Sequence, residues 1–173
     1  QAVYPLLKQQ RLPSFFVGSD LPEWTLPLRA NVFGFMPTAE TEARVIGKYI
    51  TEKHTGKEFI IWYAEKPVYH RAVKALTKEL YSVSAKLLPG KAGRLSAEWQ
   101  LIRRKNPDFL VVLGKYADVM NFLKFSPQKN IPMLTGHALA DSRLPEWLGQ
   151  KVSERVRVLT AYPLKIETEH PGQ

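Results

Sequence analysis

Short apolar strand patterns alternate with amphipathic helix patterns through the middle of this 173-residue chain. The pattern at Glu58–Tyr63 is apolar on both faces, which is typical of a strand buried between two layers of helices. Strands that are joined through helices lie parallel, and their crossovers are right-handed. The alternation therefore predicts an α/β fold, with an open, doubly wound, mostly parallel sheet and helices on both of its faces.

Capping and breaking residues predict where these elements begin and end. Thr38 is placed to begin a helix, with Glu42 in the first turn, where the helix dipole favours anions. Pro67 suits the first turn of the next helix, and Ser96 is the expected cap of the third. The predicted strands are Ser14–Val17, Glu58–Tyr63, Val83–Leu88, Asp108–Gly114, Pro132–Leu134 and Val156–Thr160, with a loop over residues 89–93 and a further helix over 117–125.

Composition excludes several classes of protein. The chain has no cysteine, which removes disulfide frameworks, thiolate catalysis and thiolate metal sites. No apolar run approaches the roughly 20 residues of a membrane-spanning helix. The net charge of +9 raises the possibility of a polyanion partner, but the basic residues are interspersed with acids, except at Arg103–Lys105. We therefore predict no membrane span and no nucleic-acid partner; steeply salt-dependent binding to oligonucleotides would indicate otherwise.

The sequence offers no constellation typical of an active site. The four histidines include no pair at the close helical spacing of a metalloprotease zinc site. The nucleophile elbow, the dinucleotide fingerprint and the P-loop are absent, and the glycines around Lys91 are more typical of a surface turn. We predict a protein that is not an enzyme and that holds no metal or cofactor.

Open parallel sheets bind ligands beyond the carboxyl ends of their strands, where helix N-termini also point. Three predicted strand ends carry polar or aromatic groups at that edge: Tyr69 follows one, Lys115 and Tyr116 follow the next, and His137 follows the third. Each has a plain structural alternative, as a helix-face tyrosine, a solvated lysine or a turn histidine. Their convergence on one edge favours a binding site.

Several segments, taken in order, resemble type 1 periplasmic binding proteins, and in pattern most of all the subgroup that binds branched-chain amino acids. The segments are Leu12–Phe16, Asn31–Thr38, the strand at residues 59–63 with Tyr69, and Asn106–Phe109 with its apolar strand, Gly114 and Ile131-Pro132. The resemblance implies a non-enzymatic periplasmic protein whose two α/β lobes close over a small solute, for delivery to an ABC permease. On this plan residues 1–36 end the first lobe and cross over, residues 37–161 form the second lobe, and residues 162–173 are a return crossing or a tail.

The resemblance also implies a set of ligand-binding residues. On the first-lobe side Ser19 and Asp20 match a segment that contacts the ligand carboxylate. On the second-lobe side Tyr69 matches a tyrosine that is turned toward the ligand, and Lys115 matches another tyrosine position, with Tyr116 as the alternative if the register shifts by one. His137 stands where amino-acid binders often carry an acid that pairs with the ligand ammonium.

The departures from the family pattern bear on the solute. The residue after Tyr69 is usually glycine and is His70 here, and no acid stands at position 137. A cleft edged by Lys115 and His137 would repel an ammonium and attract an anion. The expected solute is therefore an organic acid or an aromatic carboxylate. The alternative is a regulatory or interaction protein of the cell envelope that uses the same fold without transport, which a plugged cleft and an apolar rim would favour.

Overall fold

The computed structural model describes residues 14–17, 32–34, 37–81, 83–91, 93–125, 131–140 and 143–159. In those ranges strands and helices alternate along the chain. The strands are β1 (Ser14–Val17), β2 (Val32–Gly34), β3 (Glu58–Ala64), β4 (Ser84–Gly90), β5 (Phe109–Leu113), β6 (Met133–Thr135) and β7 (Val156–Val158). The helices are α1 (Ala39–Lys53), α2 (Pro67–Thr77), α3 (Leu95–Lys105), α4 (Tyr116–Lys124), α5 (Leu144–Leu148) and α6 (Gln150–Ser153), with a 3-10 turn at His137–Leu139.

The five strands from β3 to β7 form one sheet in the order β4-β3-β5-β6-β7, and every pair in it is parallel. β1 and β2 form a separate parallel pair, with Ser14 beside Val32. The chain leaves β3 for β4 on one side and then returns past β3 to β5 on the other. The strand order therefore reverses between β3 and β5, which is the switch point of a doubly wound sheet.

Helices cover both faces of the five-stranded sheet. Consecutive residues of a strand point to opposite faces, and in β3 Trp62 stacks on Phe122 of α4, with 4.3 Å between ring centroids. Its neighbour Tyr63 makes an edge contact with His70 of α2 at 5.3 Å. The predicted fold class is thus confirmed, with α2 on one face and α4 on the other.

Helices α3 and α4 pack against the sheet through a buried aromatic stack. Phe122 lies between Trp62 and Trp99, whose ring centroids are 4.3 and 4.5 Å away. The Trp62 indole Nε1 donates to the buried Glu98 carboxylate at 2.7 Å, and Trp99 Nε1 donates to the Phe122 carbonyl at 2.9 Å. The other Glu98 oxygen accepts from the backbone N–H of Lys91 at 2.8 Å. Both oxygens of this buried carboxylate are therefore satisfied, as a stable interior requires.

β4 extends two residues beyond the predicted strand, through Pro89 and Gly90. It is an edge strand, where proline is tolerated because its missing N–H need not pair with a neighbour. Gly90 lies so close to the Trp62 ring that a Cβ there would overlap the indole. The loop predicted over residues 89–93 therefore begins only at Lys91.

The predicted cap of α3 is wrong. Ser96 lies inside the helix, and Arg94 stands at the N-cap without a side-chain hydrogen bond. Gly93, with a φ of +78°, turns the chain just before the helix, and Glu98 holds the loop from within the first turn by accepting the Lys91 N–H. The sequence also did not predict α5, α6 or the 3-10 turn, because segments this short carry little periodicity.

Replacing Glu98 tests the buried carboxylate. Glu98→Ala leaves the Trp62 indole N–H and the Lys91 N–H without their acceptor, and we expect it to lower the free energy of unfolding by about 2–4 kcal/mol. Chemical denaturation measures the change. The control is Glu52→Ala on the exposed face of α1, which should change stability by no more than about 0.5 kcal/mol. Equal effects of the two substitutions would contradict the structural role of Glu98.

The surroundings of His54 disfavour its protonated form. Its ring contacts Phe109 at 4.3 Å, and its Nε2 is buried without a hydrogen-bond partner among the described residues. Burial, followed by the charges of Arg157 and Lys57, lowers the pKa of His54 below its usual value. The unfolded chain then binds more protons than the folded chain once the pH falls through about 6.5.

We therefore expect His54 to lower the free energy of unfolding on acidification from pH 7.5 to 5.5, so that His54→Phe loses less stability over that interval than the parent chain. Denaturation curves at the two pH values measure both. His70→Gln, at an exposed position, should keep the pH dependence of the parent chain. If His54→Phe also keeps it, the assignment to His54 is wrong.

Candidate functional site

A cavity of about 270 Å³ opens at the carboxyl edge of the sheet, beyond the ends of β5 and β6. Helices α1 and α2 close one side of it, and the start of α4 and the 3-10 turn close the other. Its floor is apolar and its rim is polar, which is the usual composition of a small-molecule site. The lining residues are Ala39, Glu42, Tyr69, Ala72, Val112, Leu113, Gly114, Lys115, Tyr116, Thr135, Gly136, His137 and Ala138.

The structure brings four of the predicted site residues to this one cavity, namely Tyr69, Lys115, Tyr116 and His137. They come from three different strand-to-helix connections, and the shared edge of the parallel sheet unites them. Ser19 and Asp20 lie outside the described residues. A role in ligand binding stays a prediction for all six.

The two tyrosines occupy different depths. Tyr69 is buried in the first turn of α2, whereas Tyr116 is 42% exposed at the rim. The Tyr116 ring makes an edge contact with Trp147 at 5.7 Å, and the Arg143 guanidinium lies 4.6 Å from the Trp147 ring centroid. Aromatic surface therefore continues outward from the cavity along α5.

Lys115 supplies a cation to the rim. It precedes α4 as the N-cap residue, and its backbone N–H donates to the Asp118 carboxylate at 3.3 Å. The charge of Asp118 is already paired, because Lys66 Nζ lies 2.6 Å from the same oxygen. Among the described residues the Lys115 ammonium forms no ion pair, so it is available to an anion.

Glu42 is the residue that the sequence interpretation missed. Its Oε1 accepts from the backbone N–H of His137 and lies 2.7 Å from His137 Nδ1. Both side chains are largely buried, with 16% of Glu42 and 25% of His137 exposed. No acid stands at position 137 itself, but α1 supplies one beside it, across the cavity wall.

The sequence did contain a signal for Glu42. The residue interrupts the apolar face of α1, three positions after Ala39 and four before Ile46, which are both buried. The helix dipole alone also accounts for an acid in the first turn. Burying an acid within an otherwise apolar stripe is unfavourable unless the acid has a partner. The position of Glu42 in that stripe therefore indicates a partner across the helix interface.

Gly136 makes room for the Glu42 carboxylate. A Cβ at this position would overlap the Cδ and both oxygens of Glu42. The φ of Gly136 is −89°, which any residue can adopt. Glycine is therefore needed here for space and not for its backbone conformation.

With a neutral His137, the charges of Glu42 and Lys115 cancel within the cavity lining. In the described ranges no group of three or more histidines and acids could hold a metal ion. No helix of the described part is long and apolar enough to cross a membrane. The arrangement is thus one that can bind a small polar molecule by one cation, one carboxylate and an apolar floor.

A second, wider groove of about 720 Å³ lies on the other side of the switch point. Its cations are already neutralised, since Lys66 pairs with Asp118 at 2.6 Å and Lys91 lies 3.8 Å from Glu65. The first cavity is the better candidate for an anionic ligand because it contains Lys115.

Comparison with solved structures identifies the architecture. Proteins of similar fold include one attributed to a branched-chain amino acid ABC transporter of Rhodospirillum rubrum, with a TM-score of 0.71 and 15% identity over 96% of this chain and 49% of that one. A Rhodopseudomonas palustris solute-binding protein in complex with benzoate has a TM-score of 0.66 and 15% identity, over 87% and 43% of the two chains. Another from R. palustris BisB5, in complex with 3,4-dihydroxybenzoic acid, has a TM-score of 0.68 and 14% identity, over 87% and 44%.

These likenesses show the fold, which is that of a type 1 periplasmic-binding-protein lobe, as the sequence predicted. This chain spans about half the length of those solved proteins. No protein-family model and no curated protein sequence matches it.

Gly136→Ala tests the close approach of Glu42. The added methyl overlaps the carboxylate, and we expect a loss of about 1–3 kcal/mol in the free energy of unfolding, which is typical of overpacking. In a Glu42→Ala background the overlapping group is absent, so the same glycine substitution should cost far less. Chemical denaturation of the four chains measures both costs. Equal costs in the two backgrounds would show that Glu42 is not what Gly136 accommodates.

Proposed function

We propose that this chain is part of a periplasmic solute-binding protein, whose edge cavity binds a small carboxylate solute for uptake through an ABC permease. The residues at 37–161 would form the second lobe, with the solute held between that lobe and another. The observation that carries the proposal is the Lys115 ammonium, which has no ion pair within the described ranges, beside an apolar cavity at the carboxyl edge. The function is one of binding and not of catalysis.

The lining supports an aromatic carboxylate. A carboxylate at Lys115 would form a charge-assisted hydrogen bond, and these are among the stronger polar contacts. Tyr69 and Tyr116 offer rings at the wall and the rim, and Val112 and Leu113 offer apolar contact to the body of the solute. Two solved proteins of this fold hold benzoate and 3,4-dihydroxybenzoate, which are solutes of this class.

A second candidate is a regulatory or interaction protein of the cell envelope. It is favoured by exposed aromatic side chains at the two ends of α4, with Tyr116 42% and Phe125 57% exposed. The open cavity beside Tyr116 favours the solute-binding proposal, because a protein that had lost its ligand would not need to keep that space free.

Lys115→Gln tests the proposal. The substitution removes the cation and leaves the side chain length similar, so we expect benzoate to bind about ten- to a hundredfold more weakly. Titration of the ¹⁵N-labelled 173-residue chain with millimolar benzoate, followed by amide chemical shifts, measures even weak binding.

The matched control is Lys48→Gln on the exposed side of α1, which should bind benzoate as the parent chain does. No saturable shift of cavity residues with any carboxylate would contradict the proposal. Equal affinities of the parent chain and Lys115→Gln would remove Lys115 from the site.

A further inference from the structure

The two oxygens of the Glu42 carboxylate have different surroundings. Oε1 is held by His137 alone, through its backbone N–H and its ring Nδ1. Oε2 receives no hydrogen bond from the residues that the structure describes, although only 16% of the Glu42 side chain is exposed. Glu42 lines the cavity, and Oε2 is not among the described polar atoms that are fully buried without a partner, so it keeps some access to solvent.

We propose that Glu42 recognises a hydroxyl group of the solute, so that the preferred ligands are hydroxylated aromatic carboxylates. This inference rests on the proposed function. A closing cleft would withdraw water from Oε2, and a largely buried carboxylate oxygen without a donor is unfavourable. A solute that brings its own O–H to Oε2 avoids that cost, whereas a bare aromatic acid does not.

The geometry fixes Glu42 before any solute arrives. Two donors from one residue hold Oε1, and the missing side chain of Gly136 lets the carboxylate lie against the backbone. The side chain therefore has little rotamer freedom left to lose on binding, which makes its acceptor a specific one. The opposite requirement comes from Lys115, which takes an anion. Together they select a solute with a carboxylate at one end and a donor at the other.

The aromatic lining bears on which donor is offered to Oε2. An ammonium also donates to a carboxylate, and its three N–H groups make an amino acid the competing solute for a site that contains Glu42 and Lys115. The rings of Tyr69 and Tyr116 favour a flat aromatic body, on which the donor is a hydroxyl. A second carboxylate on the solute would be repelled by Glu42.

The experiment compares benzoate, 4-hydroxybenzoate, 3,4-dihydroxybenzoate and valine in amide-shift titrations of the 173-residue chain. We expect the better hydroxybenzoate to bind at least about tenfold more tightly than benzoate or valine, because a site that hydrogen-bonds a hydroxyl rejects the analogue without it. In Glu42→Gln, the amide oxygen is expected to take the His137 donors and leave the NH₂ group toward the cavity. The preference should then fall to about threefold or less, because donor meets donor.

The control is Glu52→Gln on the exposed face of α1, which should keep the preference of the parent chain. Dispersed amide spectra would confirm that both variants are folded. If Glu42→Gln does not fold, the ligand series on the parent chain still tests the inference. If benzoate binds but the hydroxyl adds nothing, or Glu42→Gln keeps the preference, Glu42 does not recognise the hydroxyl and the proposed function stands. Tighter binding of valine overturns the inference as well, whereas no binding of any carboxylate overturns the proposed function itself.

Discussion

The burial of β3 on both faces is the constraint on which the rest of this structure depends. From Phe59 to Ala64 every residue is buried, and β3 pairs in parallel with β4 on one side and β5 on the other. A strand in that position needs helices above and below it, and parallel neighbours need crossovers that supply those helices. The same crossovers return every strand in one direction, so the loops that follow the strands meet at one edge. The cavity is a consequence of that edge.

Two largely buried carboxylates show how differently this fold uses the same chemical group. Both oxygens of Glu98 accept hydrogen bonds, one from the Trp62 indole and one from the Lys91 backbone. The side chain lies where α3 packs against β3 of the sheet. Glu42 has one oxygen engaged by His137 and the other unused among the described residues. A fully satisfied buried carboxylate rigidifies the core around it, whereas a half-satisfied one has an unmet requirement. The difference lies in the partners of each group, not in the burial of the side chains.

The sequence predicted the α/β order well because its signals there are strong and local. The apolar run Phe109–Leu113 predicts a strand without reference to the rest of the chain, and Thr38 likewise predicts a helix start. The structure has a strand and a helix start at those places. The errors occur where a specific side-chain contact decides the outcome, rather than a capping residue or a periodic pattern. Gly90 continues β4 because it can lie against Trp62, and α3 begins without the help of Ser96 because Glu98 holds the preceding loop. Gly90 and Trp62 are far apart in the chain, and the hydrogen bond between Lys91 and Glu98, although local, follows neither a capping pattern nor a helical period.

The cavity illustrates the same limit with more consequence. Lys115, Tyr116 and His137 could be placed at one edge from strand order alone, since each follows a predicted strand. Glu42 could not, because it reaches the edge from the helix that precedes the sheet and is 95 residues from His137. Because of Glu42, the cavity lining contains both a cation and an acid, whereas Lys115 and His137 alone would make it basic. A solute of the kind proposed would have to match two groups of opposite charge, and this requirement restricts its chemistry more than the cation alone does.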